Sequence, residues 1–490
     1  MWTTISLLSI YSAISLVVHG IGVISAAHAV MKVQSSRGAI AWSIGLISLP
    51  WVAVPLYWTF GKNKFKGYSE ALKEAYSEHA ETIHEAYSEI LDFKASLPSN
   101  LNTLATLADR FTSLPFTDNN QLDLLVDGEQ TFSAMLKAIS QAKDYILLQT
   151  YIIHDDELSN RFKDALMARS KAGVRAYLLY DGLGSHGLAR RYVEDLEKHG
   201  VVVKVFRSSR GGISRRFQIN FRNHRKILVV DGKTAFVGGF NIGDEYLGKD
   251  PKLGAWRDTH LQVRGTSVQC LQRVFLGDWY WASRDIPDVS WQTQKEDDCN
   301  QTAFILATGP ADPLEACALF FLNLINSAQE RLWIASPYFV PSTPILNALK
   351  LAVLRGVDVR IILPNKPDHL MVYFCSFSYY DELRQVGIQV YRYQPGFMHQ
   401  KVILCDRHLA GVGTVNLDNR SFFLNFEVMA FVVDPNPPHV DSTTDFVDKV
   451  EQMLLKDFES SRLVDFDKYS KKPFWFKLAA RISRLMSPIL

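Results

Sequence analysis

Two stretches of the chain carry the same polar residues at the same intervals, and this repetition limits the fold more than any other feature of the sequence. Each stretch reads His-x-Lys-x4-Asp, with an apolar run before the aspartate, and closes on Gly-x-x-Asn. The first copy is His224, Lys226, Asp231, Gly238 and Asn241, and the second is His399, Lys401, Asp406, Gly413 and Asn416. One such His-Lys-Asp spacing should arise by chance roughly once in ten thousand start positions, so two copies with matching tails indicate an internal duplication.

The segments around the two copies also repeat. Apolar runs separated by helix-like stretches occur in the same order twice, at 145–153, 174–180 and 201–206 and again at 331–340, 357–363 and 388–393. Such alternation is typical of mixed sheets flanked by helices. The repeating unit is far longer than that of a solenoid. The sequence therefore predicts an α/β fold of two similar halves about a pseudo-twofold axis, with equivalent residues face to face.

Each copy of the motif places a histidine and a lysine two residues apart. On an extended strand such residues point to the same face, so each half presents an imidazole and an ammonium together. Chemistry at a phosphodiester needs a nucleophile, an acid for the departing oxygen and positive charge around the phosphoryl oxygens. Two His-Lys-Asn sets supply all three, and the sequence predicts a catalytic site that requires no metal and no cofactor.

The remaining polar residues of the motifs have separate expected roles. Asp231 and Asp406 lie seven residues from their histidines, an odd interval that turns them away from the His-Lys face of a strand. Both belong to the catalytic motif, and we expect them to have structural roles at the ends of their strands. Asn241, Asn416 and Thr414 are the candidates for binding the phosphate.

The amino-terminal part of the chain predicts a membrane anchor. No Asp, Glu, Lys or Arg precedes Lys32, and residues 5–27 are long enough to cross a bilayer core, which takes ~20 helical residues. A second uncharged stretch at 38–61 completes a hairpin of two transmembrane helices, kinked at Pro50 and Pro55. A cleaved signal peptide and a buried core hairpin are the alternatives, and the missing basic start and the length of the first run disfavour the signal peptide.

Charges near the hairpin indicate its orientation. Lys62, Lys64 and Lys66 follow the second segment, whereas the connecting loop contains Lys32 and Arg37. By the positive-inside rule, this excess of one charge places the body of the protein in the cytoplasm.

Net charge and cysteine spacing exclude other classes of protein. The formal charge of +2 over 490 residues gives no general attraction to nucleic acid, so no nucleic-acid partner is expected. The five cysteines form no Cys-x-x-Cys pair, which disfavours a disulfide framework and a zinc site.

Two local basic segments are candidates for contact with anionic lipid headgroups. The first leads into the first motif and contains Arg207, Arg210, Arg215, Arg216, Arg222 and Arg225, with Ile213, Phe217, Ile219 and Phe221 interleaved. The second is the tail from 471 to 490, which predicts an amphipathic surface helix. The alternatives are a solvated loop for the first segment and packing on the body for the second.

These observations divide the chain into five predicted segments. They are a two-helix membrane anchor at 1–66, a polar helical stalk at 67–115, the first half at 116–295, the second half at 296–466 and a basic amphipathic tail at 467–490. The stalk is rich in Glu, Ala and Tyr, and we expect an exposed helix that leads off the membrane.

The paired motifs are the hallmark of the phospholipase D superfamily, and nearly the whole chain resembles the bacterial cardiolipin synthases within it. The resemblance extends to Arg37, to Trp42 and Pro50 in the second apolar stretch, and to the run 336–341, Ser-Pro-Tyr-Phe-Val-Pro. One departure is Gly239, where the superfamily usually has a small hydroxyl residue, so we expect fewer phosphate contacts in the first half.

The resemblance implies a mechanism. His224 attacks the phosphorus of phosphatidylglycerol to form a phosphatidyl-histidine, while His399 protonates the departing glycerol and then activates a hydroxyl of a second phosphatidylglycerol, giving cardiolipin. A nucleophilic imidazole needs an acceptor on its other nitrogen. Asp258, after the first motif, and Glu427, after the second, are the candidates, each able to orient one histidine, and a local salt bridge is the alternative for Asp258.

The implied partners are phosphatidylglycerol, other anionic phospholipids and the bilayer of a bacterial inner membrane, which the protein would cross more than once. A homo-oligomer is compatible with the sequence. The alternative functions are a hydrolase that releases phosphatidic acid, a membrane-bound phosphodiesterase or nuclease, and a protein that only binds anionic lipid. Intact motifs in both halves disfavour the last of these.

Overall fold

The computed structural model of the chain describes residues 2–33, 35–61, 64–65, 67–98, 101–112, 114–208, 220–293, 295, 299–434 and 446–490. The chain forms two units, of which the larger comprises Tyr68–Arg207 and Arg222–Leu490. Six residues of the first predicted basic segment lie outside the described part of the chain: Arg210, Ile213, Arg215, Arg216, Phe217 and Ile219. So do Lys62 and Lys66, two of the lysines that follow the predicted hairpin.

Three helices form the amino-terminal part of the chain: α1 (Trp2–Lys32), α2 (Ser36–Ser48) and α3 (Pro50–Phe60). Within the described residues, one segment is long and apolar enough to cross a membrane, Ile10–Lys32 of α1. The second apolar stretch is divided because Leu49 leaves the helical conformation and Pro50, which has no N–H to donate, begins a new helix. A second transmembrane helix is therefore not confirmed.

The larger unit begins with three helices and continues with two series of strands and helices. The first helices are α4 (Tyr68–Glu78), α5 (Ala80–Leu91) and α6 (Asn102–Phe111). The strands of the first half are β1 (Thr117–Val126), β2 (Tyr145–Thr150), β3 (Arg175–Asp181), β4 (Val202–Phe206), β5 (Arg222–Asn223), β6 (Ile227–Val230), β7 (Thr234–Gly238), β8 (Ala255–Arg257) and β9 (Thr259–Gly265). Its helices are α7 (Asp127–Gln141), α8 (Glu157–Lys171), α9 (Arg190–Lys198) and α10 (Thr266–Ser283).

The second half repeats this series with additions at its end. Its strands are β10 (Gln301–Thr308), β11 (Arg331–Ala335), β12 (Phe339–Val340), β13 (Asp358–Pro364), β14 (Gln389–Tyr393), β15 (Gly396–Met398), β16 (Val402–Cys405), β17 (Leu409–Gly413), β18 (Leu417–Asp418), β19 (Asn425–Val433) and β20 (Ser461–Leu463). Its helices are α11 (Ala316–Ser327), α12 (Thr343–Leu354), α13 (Leu370–Phe377), α14 (Tyr380–Val386), α15 (Asn419–Phe423), α16 (Phe446–Glu459), α17 (Phe466–Ser470) and α18 (Phe474–Leu485).

One mixed sheet runs through both halves. Its strand order is β20-β14-β13-β11-β16-β17-β19-β10-β1-β9-β7-β6-β2-β3-β4. The central strands β1 and β10 pair antiparallel, and on either side the same succession of equivalent strands leads outward. Strands β2, β3 and β4 are parallel, as are β11, β13 and β14, whereas the inner pairs are antiparallel. The predicted α/β class, with mixed sheets flanked by helices, is confirmed.

The segment predicted as an exposed stalk is packed instead. Helices α4 and α5 lie on α10, where the Tyr68 hydroxyl donates to Asp278 Oδ1 at 2.7 Å. Ala71 and Ala75 are buried on the same side of α4. The packed face of α4 is built from small and hydroxyl-bearing side chains, which are also common on exposed helices, and this explains why the sequence indicated a solvated helix.

Asp231 and Asp406 occupy equivalent turns at the ends of β6 and β16. Both have left-handed backbone conformations, with φ of 53° and 52°. The Asp231 carboxylate accepts the backbone N–H groups of residues 143–145 at 2.8 to 3.0 Å, and Asp406 accepts those of residues 329–331 at 2.7 to 3.1 Å. Each carboxylate therefore ties the end of a motif strand to the start of a neighbouring strand.

Candidate active site

Two short parallel strand pairs carry the motif histidines to the boundary between the halves. Strand β5 of the first half pairs with β19 of the second, with Asn223 opposite Phe426. The residues that follow these two along the chain are His224 and Glu427. Strand β15 of the second half pairs with β8 of the first in the same way, which leads to His399 and Asp258. The backbone N–H of each histidine donates to the partner strand, at 2.9 and 2.8 Å. The register therefore sets each histidine beside a carboxylate from the other half.

The side chains complete these crossed pairs. His224 Nδ1 lies 2.9 Å from Glu427 Oε2, and His399 Nδ1 lies 2.7 Å from Asp258 Oδ2. Both carboxylates are fully buried. An Nδ1–H that donates to a carboxylate leaves the Nε2 lone pair free, which is the tautomer that a nucleophile or a base requires. The local salt bridge considered for Asp258 is absent among the described residues, since its carboxylate accepts from His399 and from the backbone of Thr259.

Burial and neighbouring cations depress the basicity of both imidazoles. Burial lowers the pKa of His224 to about 4, and the attraction of Glu427 opposes this effect only in part. The pKa of His399 is also lowered well below its usual value, first by burial and then by the Lys401 ammonium. Lys401 also lowers the pKa of His224, and Lys226 that of His399, so the charges of both motifs act within one site. Both shifts favour the neutral form of the two histidines at neutral pH.

The two lysines lie on the same side as the histidines but outside the regular strands. Each Nζ donates to the backbone oxygen of its own motif histidine, at 2.7 Å for Lys226. Lys226 Nζ also stands 5.3 Å above the ring of Tyr151, which contacts His224 edge-on. Burial lowers the pKa of Lys226 to about 7 and that of Lys401 to about 8. Both ammonium groups are therefore poorly solvated, and a phosphodiester anion would stabilise their charged forms.

The residues predicted to bind phosphate differ in availability. The Asn241 side chain is occupied, since Oδ1 accepts from the Ile152 backbone and Nδ2 donates to the Tyr246 hydroxyl. Asn416 is buried, and its Oδ1 has no hydrogen-bond partner among the described residues. The Thr414 hydroxyl exchanges hydrogen bonds with the backbone of residue 428 at 2.9 and 3.1 Å. Of the three side chains, Asn416 is therefore the one with a buried polar atom that lacks a hydrogen-bond partner among the described residues.

Gly239 is the position where the two motifs differ, and its surroundings explain the difference. A Cβ atom at Gly239 would overlap Asp258, with Asp258 Cγ only 2.6 Å away. The equivalent residue Thr414 faces the longer Glu427, whose carboxylate still reaches His224 beside the threonine side chain. The missing side chain at Gly239 thus provides the space from which the shorter Asp258 reaches His399.

Replacing Gly239 with serine is expected to reduce kcat about 100-fold, because displacing Asp258 by about 1 Å misplaces the His399 ring. Steady-state phosphodiester turnover by the purified protein measures the effect. Gly187→Ser is the matched control, since a Cβ atom there meets no atom within 4 Å. Equal rates for the two variants would contradict the steric argument.

A buried arginine that the sequence placed among the surface cations supports the first crossed pair. Arg225 forms two hydrogen bonds of 2.9 Å with Asp278 of α10. It also donates to the backbone oxygens of Glu427 and Thr308, both at 3.0 Å. Arg225 is therefore not available to lipid headgroups, and it fixes the backbone of the residue that holds His224.

An equivalent network lies behind the second pair. Arg257 donates to both oxygens of Asp457 on α16, at 2.8 and 2.9 Å, and to the backbone oxygen of Asp258 at 3.2 Å. Gln400, which stands between the motif histidine and lysine, donates to Asp457 at 2.7 Å and accepts from the Thr259 hydroxyl. Neither buried aspartate, Asp278 or Asp457, was predicted from the sequence. The signal for Asp278 was its position as the single carboxylate of α10.

Comparison with known proteins places this arrangement in a family. A family profile described as "Cardiolipin synthase, PLD-like domain" matches residues 135–279 and 321–457. Cardiolipin synthase A of Pseudomonas fluorescens (strain SBW25) is 44% identical over 474 residues, which cover 96% of this chain and 97% of the relative. Cardiolipin synthase A of Pseudomonas aeruginosa (strain LESB58) is 45% identical, with 96% and 94% covered.

The chain belongs to the cardiolipin synthase family. Its fold is similar to that of the phosphatidylserine synthase of Haemophilus influenzae Rd KW20, at a TM-score of 0.59 and 15% identity. That likeness covers 79% of this chain and 100% of the other. The family, the α/β class and the superfamily expected from the paired motifs are thus confirmed. Among the residues that the structure describes, His, Cys, Asp and Glu side chains form no group of three or more with metal-binding geometry.

The depressed lysine pKa values predict how phosphodiester binding by this cardiolipin synthase family member depends on pH. With pKa values of about 7 and 8, Lys226 and Lys401 are charged below those values and neutral above them. The affinity for dibutyl phosphate, which keeps one negative charge, should therefore fall as the pH rises from 6 to 9, by up to about tenfold per unit for each neutralised lysine. Inhibition constants at each pH measure this. Lys226→Arg should weaken the dependence because arginine stays charged, and a flat profile in the unmodified protein would contradict the assignment.

Proposed function

We propose that the chain is a phosphatidyltransferase that joins two molecules of phosphatidylglycerol into cardiolipin and releases glycerol. The observation that carries the proposal is the pair of crossed histidine–carboxylate contacts, at 2.9 and 2.7 Å, within one site that holds two buried lysines. Family membership supports the lipid substrate, since the relatives are named cardiolipin synthase A.

In the first step, His224 Nε2 attacks the phosphorus of one phosphatidylglycerol. The bond between phosphorus and the glycerol headgroup oxygen breaks, and His399 supplies the proton that leaves with glycerol. The free histidines have low pKa values, but an anionic phosphodiester beside them favours the protonated form of His399. Glu427 is ionised: burial raises its pKa, but the hydrogen bonds from His224 and Thr414 and the nearby positive charges together leave that pKa below its usual range. It therefore holds the His224 tautomer and stabilises the cationic phosphatidyl-histidine.

In the second step, a glycerol hydroxyl of another phosphatidylglycerol gives its proton to His399. The hydroxyl oxygen attacks phosphorus, the bond between phosphorus and His224 breaks, and cardiolipin forms. Lys226, Lys401 and the Asn416 amide stabilise the charge on the phosphoryl oxygens in both steps. Asp231 and Asp406 act indirectly, through the backbone turns that they hold.

The proposal includes the setting of the enzyme. The two halves are related by a pseudo-twofold axis, which the matching strand order supports. Helices α1 to α3 anchor the protein in a bacterial inner membrane as a multi-pass hairpin, and the apolar segment Ile10–Lys32 supports the first of its crossings. The catalytic body faces the cytoplasm, in agreement with the distribution of lysine and arginine around the hairpin.

Product analysis tests the reaction. The purified protein is incubated in vesicles of pure phosphatidylglycerol with a radiolabelled glycerol headgroup, and lipids and free glycerol are quantified. We expect one glycerol released for each cardiolipin formed. Release of glycerol with phosphatidic acid as the sole lipid product would instead identify a hydrolase, because water and an alcohol compete for the same intermediate.

A further inference from the structure

Helix α18 presents two apolar faces, of which only one is covered. Phe476, Ala480 and Ser483 form the inner side, where Phe476 lies 5.3 and 5.2 Å from the rings of Phe374 and Phe377. The outer apolar residues are Phe474 (77% exposed), Trp475 (63%), Leu478 (46%), Ile482 (55%), Leu485 (77%) and Met486 (39%). At about 100° per residue, the five that belong to the helix fill one continuous arc, and Met486 directly follows the helix.

Contacts at the end of α18 and beyond it fix the helix on the larger unit. The Arg484 guanidinium lies 4.2 Å from the ring centroid of Tyr379 and forms an ion pair of 2.9 Å with Glu382. Beyond the helix, the backbone oxygen of Leu490 accepts from the Arg420 N–H at 2.9 Å. An unattached tail would lack these contacts, so the orientation of the outer face is fixed by the fold.

Cations border the outer face. Lys471 and Lys472 precede α18, and Lys477 lies on its flank next to the apolar arc. Within the described part of the chain no carboxylate pairs with these three lysines. The helix itself contains no acidic residue. An apolar arc with a tryptophan, bordered by lysines, is typical of helices that lie in the interface of an anionic bilayer.

Exposed apolar residues also lie on the helix that α18 packs against. Leu370 and Met371, at the start of α13, are also exposed, and α13 is the helix on which α18 packs. At the other end, the tail contacts α15, where the Ser421 hydroxyl accepts the backbone N–H of Asn416 at 3.1 Å. The segment that carries the exposed apolar face is thus linked through α15 to the second motif.

We propose that the outer face of α18 and the start of α13 form an interfacial docking surface that seats the catalytic body on an anionic bilayer. This inference rests on the proposed function and deepens it, because the docking surface would supply phosphatidylglycerol to the site. The amino-terminal anchor keeps the body near a membrane, and the docking surface sets its orientation and distance there.

Site-specific labelling tests the docking directly. The five native cysteines are buried, so a single introduced cysteine can carry an environment-sensitive fluorophore. Full-length Leu478→Cys and Ile482→Cys are labelled in vesicles of phosphatidylglycerol and phosphatidylethanolamine that contain acyl-chain spin-labelled lipid. We expect a blue shift and quenching at both positions. Leu351→Cys is the matched control, an exposed leucine on α12 that should remain in water.

The labelling outcome does not depend on which reaction the enzyme catalyses. Quenching no greater than that of Leu351→Cys would overturn the docking surface. Shielding that depends on protein density, without quenching by lipid, would show a second copy of the chain on this face and would also overturn it. Loss of cardiolipin synthesis in the product analysis, with quenching retained, would reject the proposed function alone.

A kinetic test follows from the same surface. Trp475→Glu combined with Ile482→Glu should raise the KM for phosphatidylglycerol in bilayers about tenfold, because the body no longer seats on the surface. The kcat for a soluble short-chain phosphatidylglycerol should stay unchanged. Leu351→Glu with Leu354→Glu is the control for two new charges on an exposed helix. An unchanged KM in bilayers would contradict the proposal. If the double variant does not fold, the labelling experiment alone tests the docking surface.

Discussion

Replacing either His224 or His399 with alanine is expected to lower the kcat for cardiolipin formation by at least about a thousandfold, because each step of the reaction requires both imidazoles. Assays of purified, membrane-inserted protein with phosphatidylglycerol measure this loss. His154→Ala is the matched control, since His154 also faces a carboxylate, Glu245, at 3.4 Å but lies outside both motifs. Cardiolipin synthesis retained by both motif variants would exclude the two-histidine mechanism.

The roles of the two histidines separate when the leaving group needs no proton. With a phosphatidyl p-nitrophenol substrate, His399→Ala should still release a burst of nitrophenol and then stall, because the base of the second step is missing. The adduct should accumulate on His224 and can be located by mass spectrometry of alkaline digests. His224→Ala should give no burst. An adduct on His399 in that variant would reverse the assignment of nucleophile and acid.

The fold class and the motif residues could be predicted because both follow from spacing along the chain. Two identical sets of His, Lys, Asp and Asn require two copies of one local structure, and the matching apolar runs extend that copy to whole halves. The turns at Asp231 and Asp406 also follow, since a position seven residues after a histidine falls at the end of a short strand. These features depend on neighbours within one segment.

Contacts between distant strands could not be predicted in this way. Spacing shows that Asp258 and Glu427 follow their motifs, but it does not show which histidine each one meets. That choice depends on the pairing of β5 with β19 and of β15 with β8, which joins residues about 200 and 140 positions apart. Arg225 was misassigned to a lipid-facing segment for the same reason, because its partner Asp278 lies on a distant helix.

The amino-terminal helices show a different limit. A run of apolar residues predicts burial or membrane insertion, but the break at Leu49 depends on the local effect of Pro50 on helix hydrogen bonds. The segment after them shows the converse. Its glutamates indicated solvent, while Tyr68, Ala71 and Ala75 provide the face that packs on α10.

The crossed carboxylates give the second large effect. Glu427→Gln and Asp258→Asn keep the size of each side chain but remove the charge that fixes the tautomer and stabilises the imidazolium form of its histidine. Each variant should lower the kcat for cardiolipin formation by about 100-fold to 10,000-fold. Glu245→Gln, at the histidine–carboxylate pair outside the motifs, should retain activity. Circular dichroism and thermal unfolding of each variant control for a loss of folded protein.

The two variants should differ with the p-nitrophenol substrate, and the difference tests the crossed arrangement itself. Asp258→Asn impairs His399, so the first step should survive and the phosphatidyl-histidine should accumulate, as in His399→Ala. Glu427→Gln impairs His224, so the burst should be lost, although Glu427 follows the second motif and His224 belongs to the first. If each carboxylate instead served the histidine of its own half, the two phenotypes would be exchanged. With the crossed pattern, each catalytic histidine depends on a charge from the other half, and neither half can complete even one step alone.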